Sequence, residues 1–302
     1  MPVCTDPPSA RAGDPDWTVD AARLPNREVS AFWRVGSFVW HVQRKGSGPK
    51  LLLLHGTGAG THSWAPLIEL LAPHFETINL DLPGHGFTRT PSSFRPSLSN
   101  ISVAVRDLLK ELELSPEMIA GHSAGAAIAL QLTASRALDP KLLISINGAL
   151  KPFDGIMRSV APMTAKVASF GGIAARLVAR NPMRERRVRN LVQQLGSDPD
   201  RVDVASYSTL LRRRGHIQGA LQMMAHWDLT PIASICRRIE QPVVFIAGDA
   251  DKAVPPIVSE QAAGQVQNGT YLELEQLGHL AHEEAPDLVA STIREAWARY
   301  CA

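Results

Sequence analysis

Cysteine is scarce in this chain of 302 residues: Cys4, Cys236 and Cys301 lie far apart and are odd in number. That excludes a disulfide framework and a cysteine-based metal cluster, and it fits a reducing compartment. No uninterrupted apolar run reaches the roughly 18 residues needed to cross a bilayer. An excess of one charge is missing as well. The net charge of +2 leaves no basic footprint of the kind that binds nucleic acid. Residues 1–20 hold Pro, Asp, Ala and Arg but no apolar core, so they read as a flexible segment and not as a signal peptide. Internal repeats and low-complexity tracts are absent. These absences point to a cytoplasmic globular protein, with peripheral contact to the inner membrane left open. An apolar content of 45% over this length suits one large domain with an insertion.

What is present is an alternation of two patterns. Short apolar or β-branched runs fall at 29–35, 38–43, 51–54, 76–80, 118–120, 141–147, 242–247 and 271–275. Helical periodicity occupies 64–71, 97–112, 258–265 and 286–300. The continuous run Leu51-Leu52-Leu53-Leu54 reads as a strand buried on both faces. Strands alternating with helices predict an α/β fold with a mostly parallel central sheet flanked by helices.

The alternation breaks at 151–231. This stretch carries eleven Arg and two Lys against six Asp and Glu, a net of +7. Apolar residues (Met157, Met163, Val167, Phe170, Leu177, Leu191, Leu221, Met223, Met224, Trp227) are spread through it, several at helical spacings. With the Gly-x-Ser-x-Gly hydrolase signature at 121–125, an inserted, basic helical lid is expected here. The core is then expected over 21–150 and 232–302. The clusters Arg184-Glu185-Arg186-Arg187-Val188-Arg189 and Arg212-Arg213-Arg214 read as a solvated face or as a surface for an acidic ligand, partner or membrane.

Chemistry concentrates at Gly121-His122-Ser123-Ala124-Gly125, between the apolar Met118-Ile119-Ala120 and the small-residue helix that starts at Ala126. Gly-x-Ser-x-Gly at a strand-to-helix junction is a nucleophile elbow, the signature of the α/β-hydrolase fold. Serine needs a base, and the base needs an orienting acid, in the order Ser, acid, His. Asp251, in the loop after 242–247, has the spacing Gly-x-x-Asp-x-x-Val-Pro; Asp249 competes with it. His279 directly follows Gly278 in the loop after 271–275 and is the expected base, with His282 its rival. Glu283 and Glu284 read as negative charge favouring the start of the last helix. The oxyanion hole is expected from the amides of Ala124 and Thr57, with Gly58 as the alternative to Thr57.

The glycine-rich run His55-Gly56-Thr57-Gly58-Ala59-Gly60 lacks the Gly-Lys-Ser/Thr of a phosphate loop. His55, Gly56, Gly58 and His122 are candidate substrate contacts, with His55 also reading as a brace for the loop. His85, in Pro83-Gly84-His85-Gly86, reads as part of a structural turn. No metal ligand set and no cofactor motif is found. A serine nucleophile, where epoxide hydrolases and haloalkane dehalogenases use aspartate, points to acyl transfer, C–C hydrolysis or cofactor-free perhydrolysis.

A narrower likeness runs through Leu24-Pro25-Asn26-Arg27-Glu28-Val29-Ser30, Trp40-His41-Val42-Gln43, Leu51 to Ala59, Thr61-His62-Ser63-Trp64 and Gly121 to Ala127. Together these segments resemble the magnesium-chelatase accessory proteins of bacteriochlorophyll synthesis, the BchO family. The resemblance implies a role near magnesium insertion into protoporphyrin, with chelatase subunits as partners and a porphyrin as a candidate small-molecule ligand. Such a ring carries two propionates, which Arg186, Arg187 and Arg189 of a basic lid are suited to pair. Three activities then compete. One is a serine hydrolase, esterase-like, on an unidentified ester. Another is a non-catalytic porphyrin carrier or chelatase-binding protein, and the third a general esterase or perhydrolase.

Overall fold

A computed structural model describes residues 3–151 and 185–301. Nine strands form one sheet among them: β1 (Val3–Thr5), β2 (Ser30–Val35), β3 (Phe38–Lys45), β4 (Lys50–Leu54), β5 (Glu76–Leu80), β6 (Met118–His122), β7 (Leu142–Ile146), β8 (Val243–Gly248) and β9 (Gly269–Leu274). Their spatial order is β1-β2-β3-β5-β4-β6-β7-β8-β9. The β1, β2, β3 and β5 pairings are antiparallel, and every pairing from β5 onward to β9 is parallel. The helices are α1 (Trp17–Asp20), α2 (Ala65–Leu71), α3 (Leu98–Glu111), α4 (Ala124–Ala134), α5 (Glu185–Gln194), α6 (Val204–Leu210), α7 (Arg214–His226), α8 (Ile232–Cys236), α9 (Ile257–Ala263), α10 (Ala281–Glu284) and α11 (Pro286–Cys301). No described helix is long and apolar enough to cross a membrane.

The run of four leucines in β4 shows why the sheet is covered twice. Successive side chains of a strand point to opposite faces. Leu51 and Leu53 pack with Trp64, Leu67, Val289 and Ile293 from α2, α11 and the turn before α2. Leu52 and Leu54 pack with Ile101, Val105, Leu108 and Ile128 from α3 and α4. All four leucines are fully buried. The small residues of α4 let it lie close on the sheet. A Cβ on Gly125 would fall 2.0 Å from the Leu54 carbonyl oxygen, and one on Gly121 would fall 2.4 Å from the Gly125 carbonyl carbon. That close approach seats the start of α4 over the ends of β4 and β6, where loops after parallel strands build ligand sites.

The N-terminal segment departs from the flexible reading over residues 3–20. β1 pairs with β2 in the register Val3 with Arg34 to Thr5 with Phe32. Trp17 sits edge-on to Phe32 and Phe87 at ring separations of 5.0 and 5.2 Å. Asp14 and Asp20 pair with Arg89 and Arg213. One large aromatic ring and partners supplied by distant elements hold a segment whose own composition gives no apolar periodicity.

Part of the expected insert, 152–184, with Met157, Met163, Val167, Phe170, Leu177 and Arg184, lies outside the described residues. The rest carries α5, α6 and α7, joined by non-helical segments. From α5 and α6, Val188, Val192, Val204 and Tyr207 form a small apolar cluster with Ala59 and Leu280 of the core loops.

Candidate active site

Ser123 follows β6 and caps α4 with φ 52° and ψ −116°. A non-glycine residue in this region stores about 1–3 kcal/mol of strain, so the surroundings must hold it. The Ser123 N–H donates to the Ile146 carbonyl at 3.0 Å, and its own carbonyl accepts from the Ala126 and Ala149 N–H groups at 3.2 and 3.1 Å. Ser123 Oγ lies 3.1 Å from His279 Nε2. On the other side of the ring, His279 Nδ1 is 2.8 Å from Asp251 Oδ2. Asp251 is itself fixed, since Oδ1 accepts from the Ala253 and Val254 N–H groups at 2.8 and 2.9 Å. Asp249 is exposed and makes no hydrogen bond or ion pair with His279. His282 packs, tilted, against Trp64 and His122 at ring separations of 4.7 and 4.4 Å, its two nitrogens without a hydrogen-bond partner among the described residues.

Asn147, just past β7, was not singled out from the sequence. Its Nδ2 donates to Asp251 Oδ2 at 2.7 Å, the same oxygen that faces His279, and it is almost fully buried. No motif marks it, because the contact spans 104 positions of chain.

The loop after β4 brings Thr57 beside Ser123. The Thr57 N–H has no acceptor among the described residues, and Ala124 opens α4, so its N–H has no intrahelical acceptor. A cavity of about 120 Å³ is lined by both loops and by Val188, Leu191, Val192, Leu195, Tyr207 and Leu211 from the insert. Gly56, Gly58, His122, Ser123 and His279 complete its floor. His55 is not in the cavity. Its Nδ1 donates to the Gly56 carbonyl and its Nε2 accepts the Leu82 N–H, at 2.8 and 2.9 Å, so it braces the loop. His122 Nε2 donates to the His279 carbonyl at 2.8 Å. Arg186, Arg187 and Arg189 do not line this cavity. Arg186 and Arg187 are exposed and Arg189 pairs with Asp200, while Val188 and Val192 take the inward face of α5.

The two carboxylates expected at the start of the last helix do something else. Glu283 and Glu284 end the four-residue α10 and are buried. Glu284 Oε1 accepts the Gly278 N–H at 3.0 Å and Oε2 the Asp198 N–H at 2.9 Å, linking the His279 loop to the insert. The Leu195 carbonyl adds a second link by accepting the Lys252 and His279 N–H groups at 3.1 and 3.3 Å. Ser197 Oγ accepts from Leu280 at 2.9 Å. The segment after α5 thus clasps the loops that carry Asp251 and His279. Tyr207 of the cavity wall donates its hydroxyl to Glu283 Oε1 at 2.7 Å.

Buried titratable groups surround the site. Burial holds His62 and His216 down to about 4 and His282 to about 3, and it lowers His55, His85 and His122 as well. Burial pushes Glu283 the opposite way, from 4.5 up to about 8. Below about pH 6.5 the unfolded chain protonates histidines that the folded chain keeps neutral, so their stabilisation is present above 6.5 and lost as pH falls toward 4. Glu283 keeps a proton in the folded state that the unfolded chain releases above 4.5. Its contribution is therefore present below 4.5 and lost as pH rises through 8. Six histidines outweigh one carboxyl. Thermal melts from pH 4.5 to 8.5 are expected to show a steep loss of Tm below pH 6 and a gentle decline from 6.5 to 8. Glu283→Gln should flatten the gentle decline and leave the steep one.

A family model described as the alpha/beta hydrolase family matches residues 51–292. Over 276 residues the chain is 38% identical to the magnesium-chelatase 30 kDa subunit of Rhodobacter capsulatus, covering 90% of this chain and 95% of the relative. It is 25% identical to the (E)-2-((N-methylformamido)methylene)succinate hydrolase of Acinetobacter baylyi, covering 85% and 93%. Among solved structures, a thermophilic esterase from Thermogutta terrifontis superposes with a TM-score of 0.71 at 19% identity, covering 86% of this chain and 94% of that one. The enol-lactonase of Burkholderia xenovorans LB400 gives 0.71 at 20% identity, covering 88% and 99%. These two structures share the fold. With the family model matching most of its length and the Rhodobacter relative aligned along nearly all of it, the chain belongs to the α/β-hydrolase family, in the group that includes the magnesium-chelatase 30 kDa subunit.

Proposed function

We propose that this chain is a serine hydrolase that performs acyl transfer on an ester-like substrate, in the service of magnesium-porphyrin synthesis. The observation that carries the chemistry is the unbroken line from Asp251 through His279 to Ser123 beneath an apolar cavity. His279 Nδ1–H, held by Asp251, leaves Nε2 as the acceptor for the Ser123 hydroxyl proton. Ser123 Oγ then attacks the carbonyl carbon, and the Thr57 and Ala124 amides receive the oxyanion. His279 returns the proton to the leaving alcohol, giving an acyl-enzyme that water hydrolyses by the same steps. The Val188, Val192, Leu195 and Leu211 walls favour an apolar arm on the substrate, and the small volume fits one arm of a larger molecule.

The pathway assignment is supported by the likeness to the magnesium-chelatase 30 kDa subunit. That relative's name also favours a second reading, in which the chain carries a porphyrin to the chelatase or binds its subunits without turnover. Under this reading Arg186 and Arg187, exposed on α5, pair propionates or an acidic partner outside the cavity. Magnesium insertion into protoporphyrin by the chelatase, measured with added wild-type chain and with Ser123→Ala, separates the readings. Stimulation by wild type alone is expected. Equal stimulation by both would establish the carrier reading.

A further inference from the structure

A second cavity, about three times as large as the one at Ser123, lies where the N-terminal segment, the turn after β5 and α7 meet. Its volume is about 370 Å³, and it shares no lining residue with the Ser123 cavity. Arg11, Arg89 and Arg214 line it, against Asp14 as the carboxylate in the wall, with Gln218 and Gln222 as further polar groups. Asp14 is engaged with Arg89 at 3.4 Å. Arg11 and Arg214 make no ion pair among the described residues, and Arg213 and Arg89 have already taken the neighbouring carboxylates of Asp20 and Asp14. Arg89 Nη2 donates to the Pro15 carbonyl at 2.8 Å, while its buried Nε has no acceptor among the described residues. Burial lowers the Arg89 pKa, and the nearby Arg11 lowers it further against the pull of Asp14.

Three arginines line the cavity against one carboxylate, with Asp16 near enough to act on Arg89, which leaves positive charge in excess in a concave, polar space. Guanidinium binds carboxylate and phosphate oxygens through paired N–H donors. A cavity of this size is in the range of small-molecule sites. We infer that this cavity binds a compact dianion bearing carboxylate or phosphate groups, held by Arg11, Arg89 and Arg214. The wall of the site also reaches the loop beside Ser123. His216 lines the cavity, accepts the Gly86 N–H on Nδ1 at 3.1 Å and donates from Nε2 to the Gly58 carbonyl at 3.0 Å. The close contact of Gly219 with Gly84, where a Cβ on Gly219 would fall 1.9 Å from the Gly84 carbonyl oxygen, fixes α7 in that position. The site is independent of the hydrolase reading, because binding needs no turnover at Ser123.

Isothermal titration of the full chain with pyrophosphate and, separately, with succinate tests the inference, with ionic strength held constant and sodium chloride as control. Saturable one-to-one binding is expected for at least one probe, and the tighter of the two identifies the phosphate or the carboxylate class. The double variant Arg11→Ala, Arg214→Ala should weaken that binding by about tenfold or more, whereas Arg237→Ala, an exposed arginine elsewhere, should not. Arg11→Ala alone serves if the double variant does not fold, since Arg11 is exposed on the N-terminal segment. The inference is overturned if neither probe binds saturably, if chloride reproduces the signal, or if the cavity variants bind as wild type does.

Discussion

Ser123→Ala is expected to reduce ester turnover by about 10⁶-fold and to abolish covalent labelling by a fluorophosphonate probe, with Tm unchanged. The side chain has one polar contact, to His279 Nε2. Its backbone is held by three hydrogen bonds that alanine keeps, from and to Ile146, Ala126 and Ala149. The substitution therefore removes the attacking atom without releasing the strained elbow. Binding of an uncleaved ester should persist, because the cavity walls come from α5, α6 and the loop after β4. Wild-type labelling that survives in Ser123→Ala would move the nucleophile elsewhere and defeat the assignment.

The second large effect concerns the acid. Asp251→Asn should lower kcat by about 10⁴-fold with little change in KM, measured on any ester that wild type turns over. The surroundings dictate how an asparagine would sit. Oδ1 of Asp251 faces two N–H donors, from Ala253 and Val254, so the amide oxygen must stay there. The amide NH₂ is then forced toward His279 Nδ1 and Asn147 Nδ2, which are both donors in the native arrangement. His279 can meet an NH₂ only by moving its proton to Nε2, the nitrogen that has to accept the serine proton. Asn147→Ala acts on the same carboxylate more mildly. Losing a hydrogen bond to a charged group costs about 1.5–3 kcal/mol, which is about 10- to 10²-fold in rate if the loss is felt in the transition state. A kcat effect without a KM effect distinguishes this positioning role from simple damage to the pocket.

The buried histidines and Glu283 bear on how such assays are run. Activity profiles below pH 6 will mix catalytic titration with loss of folded protein, since His62, His216 and His282 resist protonation in the folded state. Melts at each pH separate the two effects.

Several parts of this protein were legible in the sequence because they depend on local backbone geometry. A strand that is apolar at every position has to be covered on both faces, and Leu51 to Leu54 are. Gly121 and Gly125 around a serine specify a turn that only closely approaching backbones need, and the Leu54 carbonyl beneath Gly125 supplies the reason. Loops after β8 and β9 hold Asp251 and His279 at spacings set by a few residues of turn, so their meeting with Ser123 follows once the sheet is parallel.

What the sequence could not reveal acts across long separations, through groups with no motif of their own. Asn147 reaches Asp251, Glu284 reaches Asp198 across 86 positions, and Trp17 meets Phe32 of β2 and Phe87 of the turn after β5. The basic cluster of α5 shows the same limit. Composition identifies the arginines, but the helix's rotation against the core puts Val188 and Val192 inward and Arg186 and Arg187 outward. Local pattern determines which elements form and which side chains sit at their ends. Tertiary packing alone decides which polar groups share a buried space, because a hydrogen bond between distant residues leaves no periodicity in either segment.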